Sequence, residues 1–169
     1  MPESPHRVVT IRRIIRETPS IRTFFFHESF CFEPGQFVMV WVPGVDEIPM
    51  ALSSEISISV QKVGDATEAL FNLSEGDRMG IRGPLGNGFS VEGRTLAIAG
   101  GIGAAPLVPL AAGGMVDRFL LGAKTVKEVP FTVALSDCTD LQIATDDGSL
   151  GHHGFVTDLL DEEDLRAYE

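Results

Sequence analysis

The sequence predicts two domains: an antiparallel β-barrel over residues 5–90, and a parallel-sheet, Rossmann-like α/β domain over residues 91–169. Six short strand patterns with only one helical segment fill the first half at hairpin spacing, which is typical of a six-stranded antiparallel barrel. Beyond Arg94, strand patterns alternate with helical ones, which is typical of a parallel sheet covered by helices. This change of pattern predicts a domain boundary at residues 90–94.

The predicted barrel strands are rich in β-branched and aromatic residues and end at turn-forming residues. They are expected at residues 8–16, 21–27, 37–42, 50–53, 56–62 and 78–82. The fifth strand alternates strictly, Ile-Ser-Ile-Ser-Val from residue 56 to residue 60, which predicts one buried face and one polar face. A short helix is predicted at residues 68–73, with Thr67 as its N-cap.

The second half predicts an open parallel sheet. Its strands are expected at residues 95–99, 118–121, 131–135 and 141–145. A helix is expected at residues 104–112, a single helical turn at 126–129 and the start of another helix at 155–160. Residues 95–116 carry no charge, but five glycines and two prolines interrupt them. A strand, turn and helix therefore explain this stretch better than a membrane-spanning helix.

Composition excludes several classes of partner. The 24 acidic residues outnumber the 13 basic ones, so the formal net charge is −11. No basic stripe is present, which argues against nucleic acid and anionic membranes as partners. Cys31 and Cys138 lie far apart and outside any C-x-x-C spacing, which argues against a disulfide scaffold and a zinc or iron–sulfur site built from them. The N-terminus lacks the layout of a signal peptide, so we expect a cytoplasmic protein.

A glycine-rich turn follows the first strand of the second half. The order Gly-x-Gly-x-x-Pro at residues 101–106 matches the first two glycines of the dinucleotide-binding pattern G-x-G-x-x-G. A strand that turns through glycines into a helix presents backbone N–H groups and the positive helix end to one point, which suits a pyrophosphate. The residues expected at this site are Gly100, Gly101, Ile102, Gly103, Ala104, Ala105 and Pro106.

A small barrel followed by a nucleotide-binding α/β domain resembles the ferredoxin-reductase-like flavoproteins. Residues 32–37, Phe-Glu-Pro-Gly-Gln-Phe, resemble that family's entry into the third barrel strand. Residues 64–67, Gly-Asp-Ala-Thr, resemble its turn around the FAD pyrophosphate, and residues 100–107 resemble its nicotinamide-nucleotide turn. Residues 83–89 and 145–158 are similar to one branch of the family, the electron-transfer subunits of dihydroorotate dehydrogenase B.

The resemblance implies FAD and NAD(H) as cofactors and a catalytic dihydroorotate dehydrogenase subunit as partner, in a hetero-oligomer that serves pyrimidine synthesis. Hydride transfer requires alignment rather than an acid or base, so neither a catalytic side chain nor a metal is expected. The residues implied to bind FAD are Ile48, Pro49, Met50, Ala51, Ser59, Val60, Gln61, Gly64, Ala66 and Thr67. Asp146 joins residues 100–106 as the residue implied to contact NAD.

The sequence departs from the family at two places. Ile48 stands where the family has an arginine for the FAD phosphates, and Ala51 stands where it has a serine near the flavin ring. Loss of that charged contact would weaken FAD binding by about 1.5–3 kcal/mol. The family also continues into a cysteine cluster that binds a [2Fe–2S] centre, which is expected only in a segment absent from these 169 residues. Truncation is favoured over proteolysis or loss of the cluster.

Two other functions compete with this interpretation. One is the flavoprotein subunit of an NADH-dependent ferredoxin:NADP reductase or of a sulfide dehydrogenase, which resembles the chain in nearly every motif. The other is a nucleotide-binding module without redox activity, which Ile48 and Ala51 favour. The choice between NAD and NADP stays open, with NAD preferred by resemblance and Lys124 interpreted as a surface lysine.

Four further side chains and the tryptophan have competing interpretations. Asp146 and Asp147 are interpreted as a turn, with contact to a nucleotide ribose as the second choice and a metal as the third, because neighbours in an extended segment point to opposite faces. His152 and His153 are interpreted as solvated or capping residues. Trp41, the only tryptophan, is interpreted as a core or interface residue rather than a flavin-stacking one.

Overall fold

The computed structural model describes residues 6–42, 44–162 and 165–168. The chain divides into two compact units. The first comprises the residues up to Arg16 together with Ser20–Phe89, and we call it the barrel unit. The second comprises Glu17–Pro19 together with the residues from Ser90 onwards, and we call it the sheet unit.

The barrel unit is a closed six-stranded barrel in which every pair is antiparallel, in the order β1-β2-β5-β4-β3-β6. Its strands are β1 (Arg7–Arg16), β2 (Ile21–Phe26), β3 (Phe37–Trp41), β4 (Glu47–Ser54), β5 (Ser57–Gln61) and β6 (Arg78–Leu85). The predicted barrel is confirmed and all six predicted strands are present, but β4 begins three residues earlier and β6 ends three residues later than predicted. Closure leaves no free edge strand, because each strand pairs on both sides.

The barrel interior is filled by alternate side chains from all six strands and by Leu70 of the short helix α1 (Asp65–Phe71). Its largest members are Ile11, Phe24, Phe26, Leu52, Ile58, Met79 and Ile81, all fully buried. A small barrel filled in this way is a packed core rather than a channel. Strand periodicity, with apolar residues at every second position, produces this interior directly.

A β-bulge interrupts β1 between Ile11 and Arg13. Two carboxylates bond to backbone N–H groups on either side of it: Glu28 Oε2 accepts from the N–H of Thr10 at 3.0 Å, and Glu75 Oε1 accepts from that of Ile14 at 3.0 Å. A bulge locally disrupts the ladder of strand hydrogen bonds, so side chains can satisfy the donors it releases.

The sheet unit contains a four-stranded parallel sheet in the order β10-β9-β8-β7. Its strands are β7 (Leu96–Gly100), β8 (Arg118–Ala123), β9 (Asp140–Thr145) and β10 (His152–His153). Two short helices, α2 (Val108–Ala112) and α3 (Thr132–Ser136), and four 3-10 turns connect or follow them. The turns are Gly101–Ala104, Val126–Glu128, Val156–Glu162 and Leu165–Tyr168. The predicted parallel sheet is confirmed.

Residues 131–135 were predicted as a strand, and this prediction is wrong. They form most of α3, with Phe131 as N-cap in the left-handed region (φ 59°). Phe131 and Leu135 are buried while Val133 is 73% exposed. Burial at positions four residues apart is the helical pattern, and a segment of five residues is too short for periodicity to distinguish it from a strand.

The predicted helix at residues 104–112 is shorter than expected. A 3-10 turn covers Gly101–Ala104, and α2 begins only at Val108. Pro106 lacks the N–H that an α-helix passing through it would use, so the regular helix starts beyond it. Of the helix predicted at residues 155–160, residues 156–160 fall in a 3-10 turn rather than an α-helix, and β10 was not predicted. Within the described part of the chain, no helix has the length and apolar character needed to cross a membrane.

Candidate functional site

Strand β4, which the sequence predicts to hold the flavin, alternates between the barrel interior and its outer surface. Ile48 and Met50 pack against the barrel core, and Leu52 belongs to it. Pro49 and Ala51 therefore point outwards; Pro49 is exposed and Ala51 half-buried. A ring lying on β4 from outside would meet Pro49 and Ala51, whereas Ile48 and Met50 could contribute only backbone. An arginine in the inward orientation of Ile48 would enter an apolar core, where an unpaired charge is costly.

Strands β4 and β5 separate beside Pro49 and Ala51. They are paired at Ser57 and Ile58, but among the described residues Ser59–Gln61 pair only with β2. The β4-facing backbone of residues 59–61 is therefore outside the sheet ladder. Val60 is in the barrel core and Gln61 is half-buried, so Val60 could meet a ligand only through its backbone. The structure thus brings the β4 and β5 residues predicted for FAD to two sides of one split.

A chain of five hydroxyls crosses β2, β5 and β4 next to this split, and we call it the hydroxyl ladder. Thr23 Oγ1 lies 2.9 Å from Ser59 Oγ, and Ser59 Oγ donates to Ser53 Oγ at 3.0 Å. Ser53 Oγ lies 3.0 Å from Ser57 Oγ, which lies 2.6 Å from Ser54 Oγ. All but Ser54 are buried. Neutral hydroxyls remain in a buried setting because they bond to each other.

The hydroxyl ladder has one proton more than its own links use. Five hydroxyls supply five protons for four links. Because Ser59 donates to Ser53, Thr23 must donate to Ser59, and the additional proton belongs to Ser53, Ser54 or Ser57. The ladder also corrects the prediction for β5: its second face is polar as expected, but it is buried as well. Serines at every second position in an apolar strand were the available signal, and sequence reasoning missed their mutual contacts.

The turn into α1 differs from the prediction in its cap. Gly64, not Thr67, is the N-cap. Thr67 Oγ1 accepts from the N–H groups of Val63 and Gly64 at 2.9 Å each and donates to the Gly64 carbonyl at 2.8 Å. The first N–H groups of a helix have no intrahelical partner, so those of residues 65–67 can serve a ligand. Asp65 and Glu68 place carboxylates in the same turn, which opposes an anion there.

The glycine-rich turn stands at the carboxyl end of β7, where open parallel sheets hold their ligands. Gly101 has φ +50°, a conformation that favours glycine, and a Cβ added at Gly100 or Gly103 would meet nothing within 4 Å. Ala104 and Ala105 are buried beneath the turn. Because α2 starts at residue 108, the predicted contribution of an α-helix dipole at the glycines is wrong. Backbone N–H groups of a 3-10 turn stand there instead.

The carboxyl end of β9 carries Asp146 and Asp147 in a turn, which confirms their interpretation as turn residues. Asp147 Oδ1 accepts from the Ser149 N–H at 3.0 Å and from Ser149 Oγ at 2.5 Å. These bonds hold the pKa of Asp147 below its ordinary value. Ser149 Oγ also accepts from the N–H of Val126 at 2.8 Å, which ties this loop to the one after β8. The carboxylate of Asp147 is thus occupied by hydrogen bonds within its own loop, whereas Asp146 is exposed to solvent.

His152 and His153 differ in exposure and in their contacts. They form β10 beside Ala144 and Thr145. His152 is half-buried, with Nε2 3.8 Å from Asp158 Oδ2, and His153 is exposed. Among the described residues, no group of three histidine, cysteine or acidic side chains is arranged to hold a metal ion.

The side chain of Trp41, at the end of β3, lies on the outer surface of the barrel, so Trp41 is not a core residue, and the alternative of an interface residue stays a prediction. It is 41% exposed, and its ring lies 5.8 Å from that of His6 over Gly80, where an added Cβ would come within 3.0 Å of the indole. Beside it, Glu47 accepts from His6 Nε2 at 2.9 Å and from Arg82 Nε at 3.1 Å. The bond from Arg82 lowers the pKa of Glu47.

Curated relatives match nearly the whole chain, although no protein-family profile matches it. A protein of Methanocella arvoryzae is 49% identical over 166 residues, covering 94% of this chain and 64% of the relative. Relatives in Methanocaldococcus jannaschii and Thermococcus kodakarensis are 43% and 41% identical, covering 92% and 93% of this chain and 62% and 70% of their own lengths. All three are named "Probable dihydroorotate dehydrogenase B (NAD(+)), electron transfer subunit". The chain thus spans about two thirds of their length.

Solved structures share the two-unit architecture. The NADH-dependent reduced ferredoxin-NADP oxidoreductase, described for flavin-based electron bifurcation, matches with a TM-score of 0.84 and 27% identity, over 100% of this chain and 66% of that one. A cytochrome P450 reductase of Amycolatopsis matches with a TM-score of 0.76 and 24% identity, over 94% of this chain and 58% of that one, which shows the fold alone. The fold is that of the ferredoxin-reductase-like flavoproteins.

Proposed function

Because this chain belongs to the family of dihydroorotate dehydrogenase B electron transfer subunits, we propose that it passes electrons between a nicotinamide nucleotide and a partner dehydrogenase through bound FAD. Identities of 41–49% over more than nine tenths of the chain support this proposal. The partner is a catalytic subunit that oxidises dihydroorotate, so the assembly is a hetero-oligomer. It would serve pyrimidine synthesis in the cytoplasm.

The flavin ring is proposed to lie on the outer surface of β4. The observation that carries this assignment is the split between β4 and β5: Pro49 and Ala51 face outwards on one side, and Ser59–Gln61 are paired only with β2 on the other, among the described residues. An aromatic ring could enter between these strands and bond to unpaired backbone groups. Ile48 and Met50 would support it from the barrel side, because they pack on the core.

The FAD pyrophosphate is proposed to bind at the turn that Gly64 opens into α1, through the backbone N–H groups of Ala66 and Thr67, because the N–H of Gly64 already donates to Thr67 Oγ1. Val63 and Gly64 are held in place by Thr67 Oγ1, which shapes the turn. No arginine assists, since residue 48 is an isoleucine packed on the core. With the carboxylates of Asp65 and Glu68 in the same turn, we expect FAD to bind weakly.

The nicotinamide nucleotide is proposed to lie over the turn at residues 100–106, with its ribose near Asp146. The open space above Gly100 and Gly103 allows a pyrophosphate to approach the backbone. Asp146 is exposed at the end of β9, whereas Asp147 is occupied by Ser149. NAD(H) is favoured over NADP(H) because the curated relatives carry NAD(+) in their names.

Flavin supplies the ability to accept a hydride, two electrons at once, and to release electrons singly. This chain's residues bind and orient the two cofactors and need supply no acid or base. An iron–sulfur cluster does not fit the residues present. Such a cluster needs four ligands, and Cys31 and Cys138, the only cysteines, are both exposed and belong to different units.

The test is reduction of the flavin by NADH in the purified, FAD-loaded protein under nitrogen. We expect a yellow protein that NADH bleaches. Gly103→Val should slow bleaching about tenfold or more without changing FAD content, because its side chain occupies the space above the turn. Ala112→Val, on an exposed position of α2, is the matched control and should behave as the original. A colourless protein that FAD does not reconstitute would instead support a nucleotide-binding module without redox activity.

A second candidate is the flavoprotein subunit of an NADH-dependent ferredoxin:NADP oxidoreductase, which the TM-score of 0.84 and 27% identity favour. The two candidates differ in what exchanges electrons with the flavin besides the nicotinamide nucleotide. Electron transfer that requires a dihydroorotate-oxidising subunit supports the first proposal. Reduction of ferredoxin or NADP+ without that subunit supports the second.

A further inference from the structure

The hydroxyl ladder bridges β4 and β5 at the point where these two strands separate. The last backbone pair before the split joins Leu52 to Ile58, and among the described residues Ala51 and Ser59 are not paired across it. Ser59 Oγ donates to Ser53 Oγ at 3.0 Å beside this last pair. The hydroxyls of Ser53 and Ser59 therefore stand at the closed end of the split.

Ser53 lies on the outer surface of β4, as Pro49 and Ala51 do. Its bonding partner Ser59 points the same way, because both neighbours of Ser59 in β5 have side chains in the barrel core. The residues proposed to support the flavin ring and the hydroxyl of Ser53 thus share one surface. Ser53 is only 6% exposed, and a hydroxyl buried to this degree needs a hydrogen-bond partner for its proton.

The additional proton of the hydroxyl ladder belongs to Ser53, Ser54 or Ser57, and each choice fixes the direction of the other bonds. On Ser54 the proton points out of the half-buried end, where water can accept it. On Ser57, which is 1% exposed, it has no acceptor among the described residues. On Ser53 it requires that Ser54 donates to Ser57 and that Ser57 donates to Ser53. The proton of Ser53 then remains for an acceptor outside the ladder.

The arrangement with this proton on Ser53 makes its hydroxyl a strong donor. A hydroxyl that accepts hydrogen bonds donates more strongly, because bonds in a chain polarise one another. Two arms of the ladder converge on Ser53, one running from Thr23 through Ser59 and the other from Ser54 through Ser57. The low polarity of a buried site strengthens each bond further. An acceptor that binds beside Ser53 would therefore select this arrangement from the three.

We propose that Ser53 donates a hydrogen bond, through the additional proton of the ladder, to an acceptor atom of the bound flavin ring, either a carbonyl oxygen or an unprotonated ring nitrogen. The other four hydroxyls are positioning residues, because they hold the hydroxyl of Ser53 in place and polarise it. Ser53 gives the ring a side-chain donor, which neither Pro49 nor Ala51 can supply. This inference rests on the proposed function, since the ring is assigned to β4 there.

The test is binding of FAD, labelled in its ring with 13C and 15N, to the chain of 169 residues, followed by fluorescence titration and NMR. In Ser53→Ala we expect the Kd for FAD to rise about three- to tenfold. One ring carbonyl or ring nitrogen resonance of the bound flavin should also move from its position in the original protein. Ser57→Ala is the matched control, because it breaks the ladder but leaves Ser53 and its bond from Ser59. It should change the Kd by less than about twofold.

A purely structural role of the ladder would affect both variants alike, since each removes a buried hydroxyl with its bonds. Equal Kd values for Ser53→Ala and Ser57→Ala, or an unchanged flavin resonance in Ser53→Ala, would therefore overturn the inference. Ser53→Cys, whose S–H is a weak donor, should behave as Ser53→Ala does and carries the test if Ser53→Ala does not fold. Bleaching of the original protein by NADH tests the proposed function separately, so a protein that NADH bleaches can still overturn the role of Ser53. A protein that binds no FAD overturns both.

Discussion

The barrel unit and the sheet unit differ in how completely they bury the apolar side chains of their strands. Of the twelve largest fully buried side chains, nine belong to the barrel unit and three to the sheet unit, all three on β8. The barrel closes on itself, whereas the sheet ends at β7. Closure makes burial independent of anything outside the unit. In the open sheet, the large side chains that are fully buried lie on β8, which has a neighbouring strand on each side.

The units also differ in charge. The barrel unit has ten acidic and eight basic side chains, and the sheet unit has fourteen and five, so net charges of −2 and −9 make up the total of −11. Most of the negative charge therefore belongs to the sheet unit, which is proposed to bind the anionic nicotinamide nucleotide. Backbone N–H groups of the glycine-rich turn would have to attract the pyrophosphate against that field.

The largest expected effect is on the barrel core. Phe24→Ala should lower the free energy of unfolding by about 3–5 kcal/mol, because it removes a fully buried ring from a packed interior. Phe155→Ala in the sheet unit, at a 66% exposed position, should change it by less than about 0.5 kcal/mol. Denaturant titration of both variants measures the difference. Similar losses in the free energy of unfolding for the two variants would contradict the expected difference between a buried and an exposed ring.

The next effect concerns the hydroxyl ladder. Ser59→Ala breaks the ladder between Thr23 and Ser53, removing the acceptor that Thr23 uses and the donor to Ser53, so we expect a loss of about 1–3 kcal/mol in the free energy of unfolding. Ser54→Ala removes the half-buried end of the ladder and the long bond that Ser54 Oγ accepts from the Ile56 N–H at 3.2 Å, and it should cost less than about 1 kcal/mol. Equal losses in chemical denaturation would show that the links do not act as a chain.

A smaller effect tests the charge difference and rests on the proposed nucleotide site. NADH is an anion approaching a unit of net charge −9, so added salt should screen the repulsion. We expect kcat/KM for NADH to rise about two- to fivefold between roughly 20 and 200 mM NaCl. Stopped-flow reduction of the flavin measures it. A rate that falls with salt would show that local attraction at the turn dominates.

The smallest effect is the pH dependence of the Glu47 contact in the barrel unit. Its pKa is lowered in the folded state, chiefly by the hydrogen bond from Arg82, so the folded protein binds this proton less readily than the unfolded chain does. The stabilisation is present above the ordinary pKa near 4.5 and is lost as the pH falls through the lowered value. The stability difference between the original protein and Glu47→Gln should therefore shrink below about pH 4.5. A constant difference would contradict this linkage.

Much of the fold follows from local patterns. All six barrel strands could be predicted because β-branched and aromatic residues cluster between turn-forming residues, with strict alternation in β5. Strands β7, β8 and β9 could be predicted because apolar runs between turn residues are a similar signal. The strand predicted at residues 131–135 was wrong because a single helical turn and a short strand can have the same apolar content. The start of α2 was misplaced because Pro106 is compatible with both a turn and the beginning of a helix.

Some parts of the candidate site could likewise be predicted from local patterns, and others could not. The turn at Gly100–Gly103 could be predicted because three glycines within four positions, directly after a buried strand, form a pattern that is local in the sequence, whereas its role in binding a nucleotide stays a prediction. The split between β4 and β5 could not, because strand pairing joins residues distant in the sequence. The cap of α1 was assigned to Thr67 instead of Gly64, since a threonine three residues into a helix can bond backwards to the same backbone groups.

The sequence by itself determined two units, one a barrel and one a parallel sheet, because the order of strand and helix patterns can be read locally along the chain. Only the tertiary structure decided which polar faces are buried, as in the hydroxyl ladder, and which edge of the sheet has no strand partner among the described residues, as at β7. The reason is physical: whether a hydroxyl or an apolar edge meets water depends on what packs across from it. That neighbour lies elsewhere in the chain, where no local pattern records it.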